Sequence, residues 1–321
     1  MRIVICPHLS LEYLGGGEKW VLSVANDLVK RGHEVEIYST PIKVAAGVHI
    51  DNLKELLNDI PYIEKMRHTI KADVCYIFYH PLFHLNFSTK SKRIIGIHAT
   101  TCWEPLDFKY GFLPIQAQIL HKIFGARELA TVEAVHTVAP YLGIPNQNVY
   151  KIPNFVDSTI FIPQKKPDEF TVVYASRKSY QKGWDIFEKL KPRLERESIR
   201  VKVSGDIAEK DMPRFLAEAH VGIVPSRYDS FGLSIVEMIM SGLQVVTSPL
   251  ESHRSLDLLM YLSQTEEAYL ATIKYLKSQW ESNPNKYNDF CDKSRALAIT
   301  KYDRPIIMDR LENMFIEVGS K

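Results

Sequence analysis

Three cations fall within six residues in Ser176-Arg177-Lys178-Ser179-Tyr180-Gln181-Lys182-Gly183. Arginine offers a planar fork of donors and lysine a compact point charge, so the run suits an anion with two or more charges, such as a diphosphate. An isolated run of this kind is more often a solvated basic turn. Further on, Asp229 and Glu237 flank seven residues in Asp229-Ser230-Phe231-Gly232-Leu233-Ser234-Ile235-Val236-Glu237. Both acids can accept hydrogen bonds from sugar hydroxyls, and backbone N–H groups near Phe231–Leu233, at a helix start, can face an anion. Two plainer readings stand beside this one: Asp229 as a turn residue, and Glu237 in a capping box with Ser234. Near the start, Gly15-Gly16-Gly17-Glu18-Lys19 lets a backbone approach a phosphate, or is simply a flexible turn. It is neither G-x-G-x-x-G nor G-x-x-x-x-G-K-[ST], since Trp20 follows Lys19.

The elements that must position these residues follow from the apolar pattern. Arg2–Cys6 reads as a strand buried on both faces, the glycine loop follows it, and Trp20, Val21, Val24, Ala25, Leu28 and Val29 recur at helical spacing. Gly32 stops that helix and Val35–Tyr38 is the next strand. Val74–Tyr79, Ile94–Ile97, Val135–Val138 and Val149–Ile152 are further strands. Beyond a Pro- and Asn-rich linker at 153–167 the alternation restarts: strands at Thr171–Tyr174, Val201–Ser204, Val221–Val224 and Val245–Thr247 alternate with helices at Trp184–Arg196, Met212–Ala219 and Leu233–Met240. Helices over Glu266–Trp280, Lys286–Ile299 and Pro305–Val318 close the chain. The pattern is that of two open parallel α/β domains. Facing one another, they would line a shared cleft with their strand-end loops. The basic run then follows one strand directly, and the acidic pair straddles a later strand-to-helix junction.

The 321 residues suit two domains at ~150 residues each. A composition of 45% apolar and 24% charged residues excludes disorder, collagen and coiled coil. With 40 Lys and Arg against 38 Asp and Glu, the net charge of +2 supplies no basic excess for nucleic acid. Cys6, Cys75, Cys102 and Cys291 show no metal-type spacing. The first apolar stretch is too short for a signal peptide, and the aromatic run Val74–Thr89 too short and polar to span a bilayer, so a cytoplasmic protein is expected. Residues 108–127 carry Phe112, Leu113, Ile115, Ile119, Leu120, Ile123 and Phe124 with Lys109, Lys122 and Arg127. Such a segment can make a peripheral membrane contact, but more often packs its apolar stripe into its own domain, the reading preferred here.

In order along the chain, GGGEKWVLSVANDLVKRGHEVEIYS, YKIPNFVD, ASRKSYQKGWD and PSRYDSFGLSIVEMIMSGLQVVTS resemble the retaining glycosyltransferases of family 4, the group 1 enzymes. The last stretch, with its acidic–x7–Glu element, is the most specific. The resemblance implies a GT-B fold: two Rossmann-like, doubly wound parallel-sheet domains facing across a cleft. Residues 1–152 with a C-terminal helix at about 303–321 would form the acceptor side, and residues 153–302 the nucleotide-sugar side. The implied activity moves a sugar from a nucleoside-diphosphate sugar to a hydroxyl of a glycan, lipid-linked or small-molecule acceptor, with retention of configuration. Arg177 and Lys182 would hold the diphosphate as leaving group and Glu237 the ribose. Asp229 would contact the transferred sugar, aided by the N–H groups of Phe231, Gly232 and Leu233. Gly16 and Gly17 would approach the phosphates, and His98, in RIIGIHAT, would lie beside the donor sugar. No metal is expected, because fixed cations can take the charge that develops on the departing diphosphate.

Two departures from the family stand out. Asp229 occupies a position usually held by Glu, and the glycine-rich loop after Thr247 is replaced by Ser248-Pro249-Leu250-Glu251-Ser252-His253-Arg254. The alternatives are a sugar-nucleotide 2-epimerase of the same fold and a non-catalytic nucleotide-sugar-binding protein.

Overall fold

The structure, a computed structural model, describes residues 1–43, 48–50, 52–103, 112–205 and 207–320. The chain divides into two compact units, Met1–Pro153 with Met308–Lys321, and Asn154–Ile307.

The first unit runs β1 (Arg2–Cys6), β2 (Tyr13–Leu14), α1 (Gly16–Lys30), β3 (Glu34–Ser39), β4 (Val48–His49), α2 (Leu53–Leu57), β5 (Tyr62–Glu64), β6 (His68–Ile70), β7 (Val74–Phe78), β8 (Phe87–Thr89), β9 (Lys92–Ile97), α3 (Phe112–Leu120), α4 (Ala126–Ala130), β10 (Ala134–Thr137) and β11 (Val149–Lys151). Among the described residues one seven-stranded parallel sheet has the order β11-β10-β9-β7-β1-β3-β5, and β2/β4 and β6/β8 pair apart from it. Ile3, Val4, Ile5 and Cys6 are wholly buried, as a central parallel strand with helices on both faces requires. Cys6 and Cys75 meet across β1 and β7 as free buried thiols, 3.7 Å apart. The strand order reverses between β1 and β7, so the loops at their carboxyl ends open where doubly wound sheets bind ligands.

The second unit runs β12 (Thr171–Tyr174), α5 (Trp184–Arg196), β13 (Arg200–Val203), α6 (Met212–Ala217), β14 (Val221–Val224), α7 (Leu233–Met240), β15 (Gln244–Thr247), α8 (Glu251–Arg254), β16 (Tyr261–Leu262), α9 (Glu266–Ser282) and α10 (Pro284–Tyr302). Its parallel sheet has the order β13-β12-β14-β15-β16, which reverses between β12 and β14. The last helix, α11 (Arg304–Ser320), begins in the second unit and from Met308 belongs to the first.

Two local expectations are corrected. Gly16 and Gly17 are not loop residues: α1 starts at Gly16, with Gly15 as its N-cap and the Glu18 carboxylate accepting from the Gly15 N–H at 2.9 Å. In the 108–127 segment, whose first residues 108–111 lie outside the described ones, Ile115 is buried, but Ile119, Ile123 and Phe124 are exposed by 48%, 64% and 42%. A π-helical turn over His121–Gly125 joins α3 to α4. The wider turn breaks the 3.6-residue period that would have carried the apolar stripe inward. No helix among the described residues is long and apolar enough to cross a membrane.

Candidate active site

In the second unit, the turns after β12 and β14 are bound to each other at the reversal point of the sheet. Gly183, the N-cap of α5, has φ +68°, and a Cβ there would sit 1.9 Å from the Pro225 carbonyl oxygen. A side chain would be strained and would clash, so the two turns can close only on glycine. Tyr174 at the end of β12 donates its hydroxyl to the carbonyls of Arg177 and Lys182, at 2.9 and 3.1 Å, which folds the basic turn back on its strand. From the other side, Arg227 donates to both carboxylate oxygens of Asp185 at 2.6 and 2.7 Å and lies 4.0 Å over the Tyr180 ring. Its backbone N–H reaches the Gln181 carbonyl at 2.9 Å.

This lacing sets Lys182 against Asp229, with Nζ 2.7 Å from Oδ2 and both side chains largely buried. The other carboxylate oxygen, Oδ1, accepts from the N–H groups of Gly232 at 3.2 Å and Phe231 at 3.5 Å. In this state two of the N–H groups expected to face a ligand therefore hold the protein's own carboxylate. Behind the pair lies His253, wholly buried, with Nε2 3.6 Å from Asp229 Oδ2. Its Nδ1 is 2.8 Å from the Thr247 hydroxyl and 3.1 Å from the Ser248 carbonyl oxygen, while Thr247 donates to the Val224 carbonyl. Nδ1 must then carry the proton, which leaves Nε2 toward the carboxylate. Burial alone would raise the pKa of Asp229, but Lys182 and His253 outweigh it and hold the carboxyl well below the usual carboxylate range.

Of the other second-unit residues, Arg177 is exposed on the same turn as Lys182 and makes no ion pair among the described residues. Lys178 lies 5.1 Å over the Trp184 ring. Glu237 is partly buried in the second turn of α7. That helix takes Gly232, at φ +93°, as its N-cap, so Ser234 lies inside the first turn and no Ser234–Glu237 capping box forms. The N–H of Leu233, the first residue of α7, is not among those held by Asp229.

In the first unit, Gly17 comes within contact of the Phe78 ring, whereas a Cβ at Gly16 would meet nothing within 4 Å. His98 directly follows β9. Its ring stacks on Phe78 at 4.2 Å and abuts Trp20 at 4.4 Å, and Nε2 lies 2.8 Å from the Tyr76 hydroxyl. Sequence reasoning missed His253, Arg227, Tyr76 and His136. Each stood inside a segment already singled out, but none is marked by its immediate neighbours.

The family profile described as Glycosyl transferases group 1 matches residues 148–276, a span that holds the basic turn, the acidic pair and His253. The chain belongs to the group 1 glycosyltransferases. This glycosyltransferase is 22% identical over 292 residues to a human subunit of phosphatidylinositol N-acetylglucosaminyltransferase; the match covers 73% of the chain and 59% of that longer protein. Its fold is GT-B. A sucrose-phosphate synthase from Thermosynechococcus elongatus superimposes with a TM-score of 0.72 at 14% identity, covering 99% of each chain. Anabaena HepE in complex with UDP superimposes with a TM-score of 0.73 at 13% identity, covering 99% of this glycosyltransferase and 100% of HepE.

Proposed function

We propose that this glycosyltransferase moves a hexose from a nucleoside-diphosphate sugar to an acceptor hydroxyl, with retention of anomeric configuration and without a metal. The observation that carries this reading is the buried Lys182–Asp229 pair at the switch point of the nucleotide-side sheet, with exposed Arg177 on the same turn. Breaking a glycosyl–phosphate bond puts negative charge on the departing diphosphate, and cations already fixed in place lower that barrier most. A diphosphate would draw Lys182 from Asp229, whose carboxylate keeps its two backbone N–H donors and becomes free to accept from the sugar. Glu237 takes the ribose hydroxyls, and Leu233 offers its N–H. We assign Gly16 and Gly17 to the phosphates and His98 to the transferred sugar. That HepE was crystallised with UDP and with UDP-glucose supports a nucleotide-sugar donor.

The exposed Ile119, Ile123 and Phe124, flanked by Lys122 and Arg127, suit peripheral contact with an anionic membrane, and with it a lipid-linked acceptor. A glycan or small-molecule acceptor is the alternative to that last step.

The test is incubation with UDP-, GDP- and ADP-sugars, with and without candidate acceptors and with a chelator, the products read by NMR at the anomeric carbon. Transfer that needs acceptor, keeps the donor's configuration and survives the chelator is expected. A new sugar nucleotide formed without acceptor would replace this reading with epimerisation, and binding without any product would leave a binding protein.

A further inference from the structure

In the first unit, three polar side chains on β7, after β9 and on β10 form a continuous hydrogen-bonded chain whose directions can all be worked out. Tyr76 is fully buried, with its hydroxyl 2.8 Å from Nε2 of His98 and 2.5 Å from Nδ1 of His136. His136, also fully buried, sets its other nitrogen, Nε2, 2.8 Å from the carbonyl oxygen of Ile152. A carbonyl can only accept, so the proton of His136 is on Nε2 and its Nδ1 is bare. The bare Nδ1 takes the one proton of the Tyr76 hydroxyl. The phenol oxygen must then accept from His98, whose proton is fixed on Nε2. What remains on His98 is the lone pair of Nδ1, which has no hydrogen-bond partner among the described residues. Burial, and secondarily His136, hold His98 well below the ordinary imidazole range, so the ring stays neutral.

The surroundings are built for this arrangement. A Cβ at Gly96 of β9 would lie 2.1 Å from the Tyr76 hydroxyl, so the phenol reaches the two imidazoles only because that strand has a glycine there. Trp20 of α1 stacks on Tyr76 at 5.3 Å and on His136 at 6.0 Å, and with Phe78 it encloses the His98 ring from two directions. A buried tyrosine hydroxyl left unpaired would be costly, whereas here it is satisfied as donor and as acceptor.

We propose that Tyr76 and His136 are positioning residues that hold His98 as a neutral hydrogen-bond acceptor, its bare Nδ1 selecting a hydroxyl on the transferred sugar. A donor nitrogen at that place would instead favour an acceptor-only group. The proposal rests on the assignment of His98 to the donor sugar. The tautomer itself can be measured apart from that assignment.

The decisive measurement is a long-range proton–nitrogen correlation spectrum of the full chain labelled with ¹⁵N-histidine, the His98 signals being identified by their loss in His98→Gln. Wild type should show His98 protonated on Nε2 and bare on Nδ1 throughout pH 6 to 8. A proton on Nδ1 overturns the proposal, whether or not any variant folds. In Tyr76→Phe the two tautomers should mix, and kcat/KM for the nucleotide-sugar should fall about tenfold, the effect of one hydrogen bond. Affinity for the free nucleoside diphosphate, which does not involve the sugar, should stay at the wild-type value. A folded Tyr76→Phe with the wild-type tautomer and kcat/KM, or one that loses nucleoside-diphosphate affinity equally, also overturns it. A wild-type protein that neither binds nor turns over any nucleotide-sugar removes the glycosyl-transfer reading but leaves the tautomer result standing.

Discussion

Lys182 Nζ lies 2.7 Å from Asp229 Oδ2, across two strand-end turns that are 47 residues apart in the chain. Removing either partner leaves the other charge buried, which typically costs about 3 kcal/mol or more, whereas removing both relieves most of that loss. Lys182→Met and Asp229→Asn should each lower stability in urea titrations by that order, and the double variant by clearly less than their sum. Turnover should not recover with stability: Lys182→Met, alone or in the double variant, should fall ~100-fold, because the diphosphate has lost a fixed cation. Strict additivity in stability would mean that the pair is not coupled.

Arg227 grips both oxygens of Asp185 and covers Tyr180, a geometry that lysine cannot copy. Arg227→Lys is expected to shift the melting temperature by only a few degrees, since Asp185 is half exposed. Turnover should drop roughly tenfold, because the turn that aims Lys182 loosens. An unchanged rate in a transfer assay would show that the lacing does not set the position of Lys182.

Glycines at two candidate positions should answer differently to alanine. Gly183→Ala must put a side chain against a backbone oxygen at positive φ, and should cost on the order of 3 kcal/mol in thermal or urea unfolding. Gly16→Ala meets nothing within 4 Å and lies in the first turn of α1, so stability should hold or rise slightly. If Gly16 is open because a phosphate approaches it, calorimetry should show weakened nucleotide-sugar binding in a fully folded protein. Unchanged affinity would restore the plain-turn reading.

Burial lowers the pKa of His136 and of His220 to about 4 each. Unfolded histidine titrates near ~6.5, so between that value and about 4 the unfolded chain binds more protons than the folded one. Stability should therefore be at its full value above pH ~6.5 and decline as pH falls toward 4, by up to about 3 kcal/mol per histidine. Melting temperatures from circular dichroism across this range check the sign. A flat curve would mean that these rings are not buried neutral.

The exposed apolar residues of α3 and the π-helical turn predict co-sedimentation with vesicles containing anionic lipid at low salt, weakening as salt screens Lys122 and Arg127. Ile123→Ser with Phe124→Ser should abolish it without lowering the melting temperature. Absence of wild-type binding at low salt would remove the membrane from the proposal.

Much of the fold was legible because it is written locally. The runs at Arg2–Cys6 and Val221–Val224 and the period through Trp184–Arg196 and Leu233–Met240 match the observed elements residue for residue. What failed was where a local pattern meets an exception. The glycines before Trp20 read as a loop but open a helix, capped through Glu18. The apolar stripe past Ile115 read as a packed face until a π-helical turn shifted its phase.

The sequence by itself determined two successive α/β units and a basic turn and an acidic pair at strand ends, because periodicity and turn chemistry act over a few residues. Only the tertiary structure decided that Lys182 meets Asp229, that His253 stands behind them, and that Tyr76 reaches across Gly96 to orient His98. Those relationships join turns and strands far apart in the chain. Which side chains meet there is decided by sheet order, register and close packing, and no residue's immediate neighbours carry that information.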